Sequence, residues 1–195
     1  SQSSADGDLI ALCEDRILKI LANKDALFNA DGNMQLTSTN NVLGKAIPFS
    51  GEYGISKNPE SFASEAYRTY FTDKVRGTVM RLSKDGITPI SMYGMRDWFK
   101  DNLKLSKSVV GSYDDKKEEY NVTIKYPTSD PRNDTTVSFS ENSKGWVSFK
   151  SFIPDNAISC ANEYYTFNEG KLWLHHQETN DNGNALGRNT FYNEF

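Results

Sequence analysis

Short runs in which apolar and polar side chains alternate, each cut off by turn residues, restrict this chain to folds made of antiparallel strands. Glu119-Tyr120-Asn121-Val122-Thr123-Ile124 alternates without a break, and Thr136-Val137-Ser138-Phe139-Ser140 does so again. A period of two puts successive side chains on opposite faces of a strand. The same reading gives Thr69–Asp73 and Thr78–Leu82 as strands around the turn 74–77, with Val79 facing one way and Met80 and Leu82 the other. Asp85-Gly86 is a hairpin signal, because a type I′ turn needs positive φ at both central residues. Ile87 to Ile90 then leaves as an edge strand that tolerates Pro89. Strands are expected at Ser108–Tyr113 and Trp146–Phe149. A last hairpin joins Tyr164–Phe167 to Lys171–His175 across Asn168-Glu169-Gly170. Strand and turn signals recur every 8–12 residues or so, the spacing of a sandwich, barrel or propeller. No clean internal repeat accompanies them.

Two segments read differently. Over 95–104 the period changes: Met95, Trp98, Phe99 and Leu103 share one face, so one short amphipathic helix is expected. Residues 29–61 are rich in turn signals, among them Asp31-Gly32, Gly44, Pro48, Gly51 and Asn58-Pro59, and read as a long loop region of the functional or interface-forming kind. Residues 1–7 read as a loose end. Leu9–Cys13 and Ile17–Leu21 read as a hairpin around 14–16, with a helix over 9–22 as the rival.

Charge and composition narrow the function classes. Net charge is −4 with both signs interspersed, so no basic face is offered to nucleic acid. No run approaches the roughly 18 apolar residues of a membrane helix, and no signal-peptide pattern is present. Two cysteines, Cys13 and Cys160, are too few for a disulfide framework; both are expected as buried thiols, with one long-range bridge left open.

Catalytic patterns are missing. His175 and His176 are adjacent on an expected strand, so they should point to opposite faces, and a zinc site needs more ligands than they supply. There is no Gly-x-Ser-x-Gly elbow and no Ser-x-x-Lys motif. Asp15, Asp73, Asp114-Asp115 and Glu118-Glu119 read as solvated turn carboxylates rather than a glycosidase pair. Asn180-Asp181-Asn182-Gly183-Asn184 is a weak calcium pattern, and Asp6-Gly7-Asp8 a weaker one; neither carries a full calcium-loop ladder. No catalytic residue, metal ligand or cofactor is assigned. Trp146, Tyr164, Tyr165 and Trp173 suit either a sugar platform or core and subunit contacts. The contact residues selected are Trp146, Phe152, Tyr164 and Trp173.

A resemblance comes from longer runs. Gly54-Ile55-Ser56-Lys57-Asn58-Pro59-Glu60-Ser61-Phe62, then Tyr70 to Ser83, Asp85 to Ser91 and Gly94-Met95-Arg96-Asp97-Trp98-Phe99 resemble large virion structural proteins of tailed bacteriophages. These are the tail stabilisation or muzzle-type proteins of crAss-like phages. Lys144 to Asp155, Tyr165-Thr166-Phe167, Gly170 to Trp173 and Asn189 to Tyr192 look like the same group. The resemblance runs from about residue 9 to the end and implies assembly rather than catalysis. It also implies a parent longer than 195 residues, of which this chain, beginning at Ser1 rather than Met, would be a fragment.

The expected fold is mainly β, with antiparallel propeller-like or sandwich-like hairpins and one short helix near 95–104. Residues 1–195 would form a single β-rich domain or part of a larger propeller-like protein. The expected role is a structural component of a phage tail in the virion. Its partners would be other tail proteins and copies of itself, with no nucleic acid and no membrane. The alternatives are a carbohydrate- or receptor-binding β-module and a carboxylate-dependent glycoside hydrolase.

Overall fold

The computed structural model describes residues 2–3, 7–28, 34–176 and 192–194. Its strands fall into four antiparallel sheets of four, each strand pairing with its neighbours in sequence. The first sheet is β1 (Gln2–Ser3), β2 (Leu9–Leu12), β3 (Ile17–Phe28) and β4 (Met34–Pro48). The second is β5 (Ala63–Ser64), β6 (Thr69–Asp73), β7 (Thr78–Ser83) and β8 (Gly86–Pro89). The third is β9 (Ser108–Asp114), β10 (Glu119–Lys125), β11 (Thr135–Ser140) and β12 (Gly145–Lys150). The fourth is β13 (Asn156–Cys160), β14 (Glu163–Asn168), β15 (Lys171–His175) and β16 (Tyr192–Glu194). One helix, α1 (Arg96–Leu103), lies between the second and third sheets in sequence, and short 3-10 turns occupy Pro59–Ser61 and Ile90–Met92. The mainly antiparallel β-fold with one short helix is thus the one the alternation called for.

The period of two makes these sheets two-sided, and they pack in chain order. In the second sheet Phe71, Met80 and Leu82 face the first, where they meet Ile10 and Ile17. Tyr70 and Val79 turn the other way, into a core with Phe99 and Leu103 of α1 and Val109, Tyr120, Val122, Ile124 and Phe139 of the third sheet. Helical spacing sets the α1 contribution: Phe99 and Leu103 are buried, and Met95 and Trp98 pack beside them. The Tyr70 ring is stacked on Tyr120 at 4.8 Å and on Tyr113 at 5.7 Å. Its hydroxyl donates to Glu141 at 2.8 Å, and Arg81 donates to the other Glu141 oxygen at 2.7 Å.

Several local expectations need correction. Residues 34–48, placed within a long loop region over 29–61, form β4 and pair with β3 from Phe28↔Met34 to Leu18↔Pro48. What reads as a breaker there is a fitting device: a Cβ on Gly44 would run into the Lys24 carbonyl oxygen. The Asp85-Gly86 turn is set one residue earlier. Ser83 pairs with Gly86, Lys84 and Asp85 make the turn, and Gly86 takes φ 105 as the first residue of β8. Neither Lys84 nor Asp85 takes a positive φ, so the turn is not type I′. Leu9–Leu12 and Ile17–Phe28 pair as strands, which settles the first hairpin against the helix. Cys13 and Cys160 are both free thiols, with Cys13 half-buried and Cys160 exposed on an edge strand, so neither is a core residue.

Candidate functional site

The third sheet holds the side chains that join the later half of the molecule. Tyr120, Val122 and Ile124 of β10 point into the apolar core. Between them Asn121 and Thr123 point to the opposite face, where cross-strand partners repeat the chemistry: Asn121↔Ser138, Thr123↔Thr136 and Ser112↔Asn121. All five are buried. Burying such groups is costly unless each is hydrogen-bonded. Ser138 donates to the Asn121 amide oxygen at 2.5 Å, and the Asn121 amide donates to the Tyr164 hydroxyl at 3.3 Å. Tyr164 and Ser112 share a bond of 2.7 Å. Thr123 bonds Thr136 at 2.8 Å, and Thr136 donates to the Phe152 carbonyl at 2.7 Å. The fourth sheet is therefore held to the third by polar bonds, centred on one buried tyrosine whose hydroxyl burial pushes well above its ordinary pKa.

The histidines belong to this junction. His175 is buried, bonds Thr166 at 2.8 Å, and sits 4.6 Å from the Phe152 ring and 5.0 Å from Tyr164. Burial, with His176 nearby, depresses its pKa from 6.5 to about 4, so it is neutral at pH 7. His176 does not simply point to the other face of a strand. Its φ is 62, which breaks the alternation and brings its ring alongside Tyr164 and its Nε2 to 2.5 Å from Asp114. Asp114 also accepts the backbone N–H of Lys116 and Lys117, so it ties the β9–β10 turn to the end of the fourth sheet. Neither it nor Asp73 is a solvated turn carboxylate. Asp73 is buried and accepts from Gly54, Ser56 and Arg76. Asp8 is buried too, with Lys19 and Lys24 each 3.0 Å away. Burial raises the Asp8 pKa, but bonds from Lys19, the Ala22 N–H and Lys24 outweigh it and leave the carboxyl lowered.

The four selected aromatics divide. Tyr164 is the buried hub. Phe152 packs on His175, and with Trp173, Ile153 and Pro154 it lines a shallow recess of about 190 Å³. Trp146 lies elsewhere, 4.4 Å from Phe99 in the core between the second and third sheets, with its indole N–H donating to the Ile90 carbonyl at 3.1 Å. Among the described residues no group of three or more His, Cys, Asp or Glu is arranged to hold a metal. The Asn180–Asn184 calcium pattern lies outside the described residues.

One open apolar surface falls in the region whose sequence reads as an interface-forming loop. Beyond Ile20, β3 no longer has β2 beside it, and β3 and β4 continue as a two-stranded ribbon. Its β4 strand exposes Met34, Leu36, Val42 and Leu43, with Val42 73 % accessible. Four large apolar side chains on one projecting ribbon are more than scattered surface residues.

A family model described as Crassvirus muzzle protein matches residues 6–170. The chain belongs to that family. No curated relative matches it. As a member of the muzzle family it is a structural component of a bacteriophage virion, an identity that argues against a catalytic role. The match covers the first three sheets from β2 onward and β13 and β14 of the fourth, including Tyr164 and the β3–β4 ribbon but not His175 or His176.

Proposed function

We propose that this muzzle-family chain works in the tail of the virion as a passive building block. It would act by protein–protein contact with other tail proteins and with copies of itself. The observation that carries this reading is the β3–β4 ribbon, where Met34, Leu36, Val42 and Leu43 present apolar surface that a free-standing domain would normally cover. Phe152 and Trp173, half-buried at the rim of the recess, are contact residues in this reading. Tyr164 packs against Phe152, ring centroids 6.2 Å apart, and fixes the fourth sheet to the third, while Trp146, away from the recess, ties β12 to the Ile90 turn. The recess, about 190 Å³, is small beside the roughly 300–1,000 Å³ of most small-molecule sites, which favours protein contact over a glycan ligand. Four-stranded meanders packed one after another are also the local unit of a propeller blade, and a propeller-like arrangement is the architecture proposed. Cross-linking of intact virions followed by mass spectrometry tests the role. Lys45, on the ribbon, is expected to link to other tail proteins; links from Lys45 found only within its own chain would refute the reading.

A further inference from the structure

The last strand of a sheet carries a row of backbone N–H and C=O groups without a ladder partner, and folds normally shield such edges. Several edges here are shielded, each in its own way. β5 has two residues, and β8 has four with Pro89 among them. β9 and β13 cover each other: the Ser159 hydroxyl accepts the Asp115 N–H at 3.0 Å and donates to the Tyr113 carbonyl at 2.8 Å. β12, the outer strand of the third sheet, has six residues and no proline, and its one charge, Lys150, is held by Glu119 at 2.9 Å. Among the described residues its backbone ladder runs to β11 alone.

An apolar seam reaches the surface along this edge. The pairs Ser138↔Ser148 and Phe139↔Trp146 leave Val147 as an extra residue, a bulge that turns Trp146 and Phe149 to the face shared by Phe139 and Val137. Trp146 enters the core. Phe149 closes on Trp98 of α1, ring centroids 5.6 Å apart, and is still 59 % accessible. Val147 is exposed, and so is Tyr93, stacked 6.1 Å from Phe139. Arg96 and Asp97, beside Trp98 in sequence, are both exposed and cancel in charge. Lys144, in the turn that leads into β12, is exposed and pairs with no carboxylate among the described residues.

We propose that β12 is extended by a strand from another virion protein, a segment with apolar side chains at alternate positions and a carboxylate at the end beside Lys144. The inference rests on the structural role proposed above and adds a contact separate from the β3–β4 ribbon. Backbone spacing identifies the occupant first, because an extended polypeptide matches the donors and acceptors of a sheet edge. Alternate side chains of such a strand fall on one face, where Phe149 and Trp98 offer apolar contact. The carboxylate answers the charge of Lys144. The same charge disfavours a second copy's β12 as the occupant. Antiparallel pairing of the two would bring the Lys144 end of one strand to the Lys150 end of the other, twice over, and like charges set together across strands are destabilising.

Hydrogen exchange of intact virions, set against the isolated whole chain, tests the pairing. Amides over 145–150 should exchange at least about tenfold more slowly in the virion, because those facing outward gain partners. Zero-length carbodiimide coupling of the same virions tests the occupant. Lys144 should join an Asp or Glu of a different protein, in a segment whose apolar residues alternate. Phe149→Lys changes a side chain already more than half exposed, so the isolated variant should keep its melting temperature, and its incorporation into virions should fall several-fold. Val147→Lys serves in its place if that variant does not fold. Equal exchange over 145–150 in the two samples overturns the proposal, and so does normal incorporation of a folded variant. Coupling of Lys144 to a second copy of this chain, or to a segment with helical spacing, overturns the occupant named here. Virion cross-links from Lys45 to other tail proteins would leave the structural role standing in each of these cases.

Discussion

On one side of β10, Tyr120, Val122 and Ile124 press into a core shared with Phe99, Leu103 and Phe139; on the other, Asn121 and Thr123 meet the fourth sheet through Tyr164, Ser138 and Thr136. Both faces exclude water, yet they are held by different forces. Each large side chain on the apolar face contributes about 1.5–3 kcal/mol through removal of its surface from water. Each bond on the polar face nets about 1 kcal/mol, because it replaces a bond to water. The polar face gains its importance from the reverse operation, since a partner left unpaired in a buried site costs its full desolvation. One strand thus serves as the centre of a firm core and as one half of a more conditional junction.

The contrast can be broken from either side. Phe139→Ala should cost about 3–5 kcal/mol in denaturant unfolding, the loss of a buried ring with its cavity. Gly111→Ala, on the same face opposite Val122, should cost about 3 kcal/mol. There a Cβ would strike the Ser61 carbonyl that accepts the Tyr120 hydroxyl at 2.6 Å. A result under 1 kcal/mol for both would mean that this face is not the core.

The polar junction should respond to acid. The unfolded chain binds a proton to His175 near pH 6.5, whereas the folded chain does so only near 4. Its contribution is therefore complete above pH 6.5 and is lost as pH falls towards 4, by up to about 3 kcal/mol. His175→Gln should flatten that part of the stability–pH curve, and an unchanged curve would remove His175 as its cause. Tyr164→Phe should cost about 2 kcal/mol, because Ser112 and Asn121 lose a shared partner. Adding Ser112→Ala should cost less than the sum of the two single changes, and strict additivity would show that the bonds do not act as a network. The smallest effect belongs to the rim. Removing the Lys116–Glu163 pair, 3.4 Å apart and a third exposed on both sides, should change stability by less than about 0.5 kcal/mol.

How much of this was legible in the sequence follows from what each pattern encodes. Period two placed β6, β7, β10 and β11 within a residue, and the change of period placed α1, because those elements bury one distinct apolar stripe. The same pattern hid the junction. Asn121 and Thr123 alternate with apolar residues just as water-facing residues would, and a single strand does not reveal that another sheet covers its polar side. β4 escaped because pairing with β3, rather than its own alternation, defines it, and Gly44 and Pro48 imitate loop punctuation. β13 is short, and its Asn156-Ala157-Ile158-Ser159-Cys160 run offers no large apolar residue but Ile158, so the sequence raises no strand expectation there. The meeting of His175 and His176 at Tyr164 depends on a left-handed backbone at His176, for which no neighbouring glycine or asparagine gives warning. Aromatic character alone does not distinguish the buried Tyr164 hub from the half-buried Phe152 and Trp173.

Native-state hydrogen exchange on the whole chain at low denaturant tests most directly whether the two faces of the third sheet differ in strength. Amides of β13, β14 and β15 should exchange through a partial opening at lower free energy than those of β6, β7 and β10, which should wait for global unfolding. Exchange of all six strands at one common free energy, or longer protection of the fourth sheet than of β10, would contradict the account.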